Sequence, residues 1–262
     1  RLVYRVHPLP EAMLDYVWDF GFLKEKDEMS YIQRMVSPNS HFNPNTLLAK
    51  LLAGSQMFLR KVEANFSVSL RDVSRCITLI SWFAEALKSI REYPISVNTK
   101  APAYSIKDVE ECDPVIKSYI LGLAHCYLYK LSTTELRNNY CTEMAKHLGS
   151  YEVTSDTFKG VVRMMEENFL NRMKLPPGTC KNNSLRENVF VILVCILNRI
   201  PVFVVGKPGC SKSLSMRIIK SNLRGRDSTD AFFKTLPHIY VVSYQSSESS
   251  SSEGIERVFE KA

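Results

Sequence analysis

Along the first two-thirds of the chain, apolar residues recur every third or fourth position, the spacing that lines one face of a helix. Residues 10–22 carry Met13, Val17 and Phe20 in this register and can turn at Gly21, while residues 25–36 carry Met29, Ile32, Met35 and Val36. Pro44 stands at the start of an amphipathic stretch over 45–62, a position where its missing N–H costs no hydrogen bond. Ser69-Leu-Arg-Asp72 has the spacing of a capping box, in which serine bonds forward and an acid three residues later bonds back. It predicts a helix over 70–90 that buries Val73, Ile77, Ile80, Trp82 with Phe83, and Leu87, and stops before Pro94. The polar, proline-bearing stretch 92–113 reads as a connection. Further helices are predicted over 114–131, over 133–148 with Gly149 as a left-handed stop, and over 155–173, before Leu175-Pro-Pro-Gly178 punctuates the chain.

After residue 183 the pattern changes character. Ser184 and Glu187 have capping spacing ahead of an apolar helix over 185–197. Pro201-Val-Phe-Val-Val205 then reads as a strand, 214–223 as a helix and 239–244 as a second strand. Strands alternating with helices predict a parallel α/β sheet. A serine-rich stretch over 246–252 reads as a flexible loop, and 253–261 as the opening of another helix. The expected fold class is mixed α and α/β: a helical region over 1–150, a connecting helix and linker over 151–183, and the incomplete N-terminal part of an α/β domain over 184–262.

Between the first strand and its helix lies Gly206-Lys-Pro-Gly-Cys-Ser-Lys-Ser213, close to the phosphate-cradling P-loop G-x-x-x-x-G-K-[ST] and in the context that gives the motif meaning. Glycines let the backbone turn so that successive N–H groups face an anion, and the following helix N-terminus adds positive dipole. The candidate nucleotide-binding set is Gly206, Lys207, Pro208, Gly209, Cys210, Ser211, Lys212, Ser213 and Leu214. Within it Lys212 would neutralise the β/γ edge of a triphosphate, and the Ser213 hydroxyl would ligate magnesium. The predicted ligands are a nucleoside triphosphate and Mg2+. Ser211 stands where the motif has glycine, and a Cβ there narrows the allowed backbone conformations. A tight turn that happens to carry Gly, Pro and Lys is the competing reading. The acids after Ser213 are Asp227, Asp230, Glu248, Glu253, Glu256 and Glu260, and none closes an apolar strand. A P-loop ATPase holds magnesium and polarises water with such a carboxylate, so binding without catalysis is expected of these residues alone.

Composition narrows the partners. With 45% hydrophobic and 23% charged residues the chain is an ordinary globular one, and its 262 residues suffice for one large domain or two smaller ones. The net charge of +7 comes from Lys and Arg spread without a block or stripe, so no nucleic-acid partner is expected. Seven cysteines lie far apart with no C-x-x-C pair, which reads as reduced, mostly buried thiols in a cytosolic or nuclear compartment. His7, His41, His125, His147 and His238 show no partner spacing and read as structural, and Trp18 and Trp82 read as core. The apolar run 189–205 is broken by Asn198, Arg199 and Pro201, so no transmembrane segment is expected.

The order of these pieces resembles the AAA+ superfamily, and more narrowly the mysterin-type, dynein-like AAA core. Val6-His-Pro-Leu-Pro10 with Trp18-Asp-Phe20, and Val68-Ser-Leu-Arg-Asp-Val73 with Trp82-Phe83, resemble the lid of one AAA module. Leu185-Arg-Glu-Asn-Val189, the loop 206–213, and Val242-Ser-Tyr-Gln245 with Ser252-Glu-Gly-Ile255 resemble the start of the next. Serine before the loop lysine is itself a trait of that family. The resemblance implies an ATP-binding AAA+ motor core whose parent hydrolyses ATP and is a cytoplasmic E3 ubiquitin ligase. Its implied partners are neighbouring AAA modules of the same chain and, through other parts of the parent, the ubiquitin machinery. It also implies that Arg71 presents a sensor guanidinium to the preceding module's nucleotide; a solvated arginine beside Asp72 is the alternative. Two other functions fit the residues: an AAA module that keeps ATP as a structural ligand and never hydrolyses it, and a helical interaction scaffold with a vestigial loop. A different P-loop enzyme, such as a kinase or GTPase, fits the helical block poorly.

Overall fold

The computed structural model describes residues 8–18, 21, 23–36, 46–63, 68–94, 106–247 and 250–261. Its α-helices, in chain order, are α1 (Glu11–Leu14), α2 (Glu25–Val36), α3 (Thr46–Val62), α4 (Leu70–Glu92), α5 (Ile106–Glu111), α6 (Pro114–Cys126), α7 (Thr134–His147), α8 (Ser155–Asn171), α9 (Asn183–Leu197), α10 (Lys212–Asn222), α11 (Ala231–Lys234) and α12 (Ser252–Glu260). Short polar side chains start several of them. Asp113 accepts from the N–H groups of Val115 (2.7 Å) and Ile116 (3.3 Å) with Pro114 behind it, and Thr133, Thr154 and Asn182 cap α7, α8 and α9. Each such bond pairs a donor that helix geometry leaves orphaned.

The α4–α6 pair is the most extensive helix contact. Gly122 permits it: a Cβ there would stand 2.4 Å from Cγ1 of Ile80 and 3.4 Å from the Cys76 carbonyl oxygen. Because Cγ1 lies near the root of Ile80, the helices themselves would have to separate. Gly122→Ala is therefore expected to destabilise by about 1–3 kcal/mol, read as a lowered denaturation midpoint.

One continuous core runs from Ile32 to Phe233. Stacked phenylalanines mark its path: Phe83 of α4 lies 6.0 Å from Phe190 of α9, Phe190 lies 6.1 Å from Phe169 of α8, and Phe169 lies 6.3 Å from Phe232 of α11. Offset ring pairs of this kind add about 0.5–1.5 kcal/mol each beyond burial. The ladder fastens the segment after residue 183 directly onto the helices before it.

Several expectations are corrected. Residues 202–205 and 239–244 do not form strands, and among the described residues there is no strand at all; one isolated antiparallel bridge joins Arg224 and His238. Phe203 and Val205 are 94% and 93% exposed. A buried parallel strand takes its backbone partners from adjacent strands, and no strand lies beside these runs among the described residues. The helix predicted over 10–22 is the single turn α1; Met13, Val17 and Trp18 are exposed, so Trp18 is no core residue, and Phe20 lies outside the described residues. An apolar stripe without a surface to pack on does not sustain a short helix.

The helix over 114–131 ends at Cys126 and gives way to a 3-10 turn, Leu128–Lys130. Gly149 is not a left-handed stop; it opens a 3-10 turn, and Glu152 takes the left-handed conformation at φ 57°. The cap of α9 is Asn182, accepting from Leu185 at 2.8 Å, two residues earlier than Ser184. Helix α5 arises inside the stretch read as a connection, of which 95–105 lie outside the described residues. Val6, His7, His41, Pro44, Asn45, Glu248 and Ser249 also lie outside them. Trp82 is half-buried, edge-on to Phe83 at 5.0 Å, and five of the seven cysteines are buried and free.

Candidate nucleotide-binding loop

Residues 206–211 turn the chain from the extended segment into α10. Two residues of the turn are left-handed, Gly209 at φ 86° and Ser211 at φ 58°. Glycine adopts this conformation freely; serine does so at a cost of roughly 1–2 kcal/mol. The serine that departs from the motif thus sits in the glycine conformation, which is how the loop keeps its shape. Ser211→Val, which adds branching at the same Cβ, is expected to cost a further ~1–2 kcal/mol, visible in thermal unfolding and in weaker nucleotide binding. Ser211→Gly is expected to leave both unchanged or improved.

The turn leaves a row of backbone donors unpaired. Cys210 N–H reaches the Lys207 carbonyl at 3.4 Å and Ser215 N–H reaches the Ser211 carbonyl at 2.9 Å. The N–H groups of Gly209, Ser211, Lys212, Ser213 and Leu214 have no acceptor among the described residues. Three of these are the orphan donors of the first turn of α10, and the other two come from the left-handed pair. Such a nest of N–H groups at the head of an eleven-residue helix has the geometry that can take up an anion.

Lys212 supplies the cation. Its Nζ donates to the carbonyls of Gly206 (2.5 Å) and Lys207 (2.7 Å), so the ammonium is folded across the mouth of the turn. At Gly206 a Cβ would stand 3.6 Å from Cys210 Cβ and 3.8 Å from Lys212 Nζ, filling the space the lysine crosses. Ser213 is exposed on the first turn of α10. Lys207 and Pro208 are exposed, and Cys210 and Ser211 are half-buried. The Leu214 side chain packs against the core, so only its N–H is offered to a ligand. All nine loop residues are thus brought together. Arg71 is placed elsewhere, exposed on the first turn of α4 with no ion pair among the described residues. Its neighbour Asp72 is engaged instead by Ser69 N–H at 2.8 Å and Lys130 Nζ at 2.7 Å.

Three consecutive residues of α9 that sequence reasoning did not single out for this role tie that helix to α8, to α7 and to the loop. Arg186 Nε donates to Glu166 of α8 at 2.5 Å, with both side chains buried, and Tyr129 donates to the same carboxylate. Glu187 accepts from Arg137 of α7 at 2.9 Å. Asn188 donates to the Cys210 carbonyl at 2.7 Å. Burial pushes the Glu166 carboxyl above its ordinary value, and the bonds from Tyr129 and Arg186 offset that in part. At the far end of α10, Asn222 exchanges two bonds with the Lys174 backbone, at 2.7 and 3.0 Å. The charge that looks scattered along the chain is also partly local: Arg217, Lys220, Arg224 and Lys261 line one groove of about 760 Å3 beside α10.

Residues 178–262 match the family described as RNF213 AAA domain. The whole chain is 35% identical to E3 ubiquitin-protein ligase RNF213 of Homo sapiens over 265 residues, covering 99% of this chain and 5% of that protein. It is 33% identical to E3 ubiquitin-protein ligase RNF213 of Mus musculus over 271 residues and 34% identical to E3 ubiquitin-protein ligase rnf213-beta of Danio rerio over 262 residues. The chain spans 5% of the length of each of these relatives. No described helix is long and apolar enough to cross a membrane.

Proposed function

Starting from the premise that this chain is RNF213-like over nearly its whole length, with residues 178–262 in the RNF213 AAA-domain family, we propose that it binds ATP through the loop 206–213 as part of an AAA+ core. The observation that carries this reading is the set of five unpaired N–H groups at Gly209, Ser211, Lys212, Ser213 and Leu214, with the Lys212 ammonium beside them. Those donors and that cation suit a polyanion. Ser213 would hold Mg2+, which neutralises phosphate charge when bound. Residues 184–262 are then the start of one AAA module and residues 1–150 the lid-type region of the one before it, joined through 151–183. Arg71, exposed and without an ion pair among the described residues, would serve the preceding module's nucleotide. ATP hydrolysis and E3 ubiquitin-ligase activity, with the cytoplasmic ubiquitin machinery as partner, are proposed for the whole protein.

Equilibrium titration with Mg-ATP tests the reading. Saturable binding that inorganic triphosphate competes away is expected; absence of saturable binding by folded protein would overturn it.

A further inference from the structure

We propose that Asn188 is a positioning residue for the phosphate loop, deciding which way the loop's backbone donors face. The inference rests on the ATP-binding reading above and extends it to a residue outside the motif. Asn188 lies half-buried on α9, 22 positions before its partner, and its Nδ2 donates to the Cys210 carbonyl at 2.7 Å. The chemistry fixes the amide's orientation, because a carbonyl oxygen accepts and only the NH2 half of the side chain donates.

The consequence follows from peptide geometry. The peptide unit is planar and trans, so the N–H of Ser211 points opposite to the carbonyl of Cys210. Holding that carbonyl toward α9 turns the Ser211 donor to the far side of the chain, away from α9. Cys210 lies between the two left-handed residues, Gly209 and Ser211, where the peptide plane has the most freedom to flip. A flipped plane would present a carbonyl oxygen to the anion where a donor belongs. Of the loop's other fixed carbonyls, that of Ser211 is held by Ser215 of the loop's own helix, and Lys212 holds two with bonds from its Nζ, at Gly206 and Lys207. Those bonds are the ones the lysine must give up to reach a phosphate. The Asn188 bond is not: it persists whichever way Lys212 turns. Asn188 is therefore the tether from outside the loop and its helix that holds the Cys210 peptide plane during the exchange.

Its setting makes it a firm anchor. The two residues before it tie the same turn of α9 to α8 and α7, through Arg186 to Glu166 and Glu187 to Arg137. Successive helical residues point about 100° apart, so three neighbours are grasped by three consecutive side chains. The loop is thereby registered against the helical block and not only against its own helix.

The test compares the full-length protein with Asn188→Leu, close in shape and uncharged but without a donor, and with Asn188→Gln, which restores an amide donor. Two readouts are taken beside the global melting temperature: amide hydrogen exchange without nucleotide at Cys210 and Ser215, the loop amides that have an acceptor, and ATP affinity. Asn188→Leu is expected to speed exchange there at least tenfold and to weaken ATP binding about tenfold, with the melting temperature held and Asn188→Gln recovering part of both losses. Unchanged exchange, or unchanged affinity in a protein whose parent binds ATP, would overturn the proposal. A drop in melting temperature that accounts for both losses would also overturn it, by making Asn188 a general packing residue. A parent that binds no ATP overturns the functional reading itself, and exchange then still reports whether Asn188 orders the loop.

Discussion

Lys212→Ala is expected to weaken ATP binding by at least tenfold, about 1.4 kcal/mol, while leaving the fold intact. Two terms set the size. A charge-assisted bond from an ammonium to phosphate contributes roughly 1.5–3 kcal/mol. Against it stands the cost of lifting Nζ off the Gly206 and Lys207 carbonyls, which accept from it at 2.5 and 2.7 Å in the free protein. Those carbonyls belong to exposed residues and water replaces the lysine cheaply, so the phosphate term wins. The side chain is half-buried and the substitution leaves α10 and its buried contacts, Ile218 and Ile219, untouched. Titration of the folded variant decides the matter. Affinity equal to the parent's would mean that the nucleotide, if bound, sits elsewhere. A larger loss for ATP than for ADP would place the ammonium at the outer phosphates.

The motif was legible because it is local. Eight consecutive residues specify the turn, and neighbours in sequence are neighbours in space. The long helices were legible for a related reason: α3, α4, α8 and α9 each bury a face in one shared core, so the period of their apolar residues mirrors a core that lies within the chain. The register of residues 10–22 and 202–205 is just as clear, yet Trp18 and Phe203 are exposed. Periodicity reports that a face exists and not what covers it; for a strand the covering and pairing partners are non-local. The tethers behind the loop were hidden for the same reason, since Asn188 to Cys210 and Arg186 to Glu166 are fold-dependent pairs of polar residues. One signal did point to the second pair. Arg186 occupies the apolar stripe of Leu185, Val189, Phe190 and Leu193, and Glu166 that of Val162, Met165, Phe169 and Leu170. Opposite charges on the buried faces of two helices are costly unless they meet.

That pairing carries the largest expected effect on stability. Arg186→Met is expected to destabilise the protein by about 3–5 kcal/mol, the range for stranding one member of a buried ion pair. With native stabilities of roughly 5–15 kcal/mol, this is a large share of the total. The cause is the partner left behind: Glu166 stays buried and keeps only the hydrogen bond from Tyr129. The loss should also depend on pH, with a definite sign. Burial already raises the Glu166 carboxyl above its ordinary value, and removing Arg186 takes away a group that favours the carboxylate, so the folded-state value rises further. Between the unfolded and folded values the folded variant binds more protons than the unfolded chain, and its stability falls as pH rises through that window. Denaturant unfolding at pH 5 and pH 7 should therefore show the greater deficit at pH 7. Adding Glu166→Gln removes the stranded charge while leaving an acceptor for Tyr129, and should restore most of the stability and abolish the added pH dependence. A single variant that loses less than about 1 kcal/mol at neutral pH, the scale of an exposed pair, would show that water reaches Glu166 and that α9 is not anchored to α8 by charge.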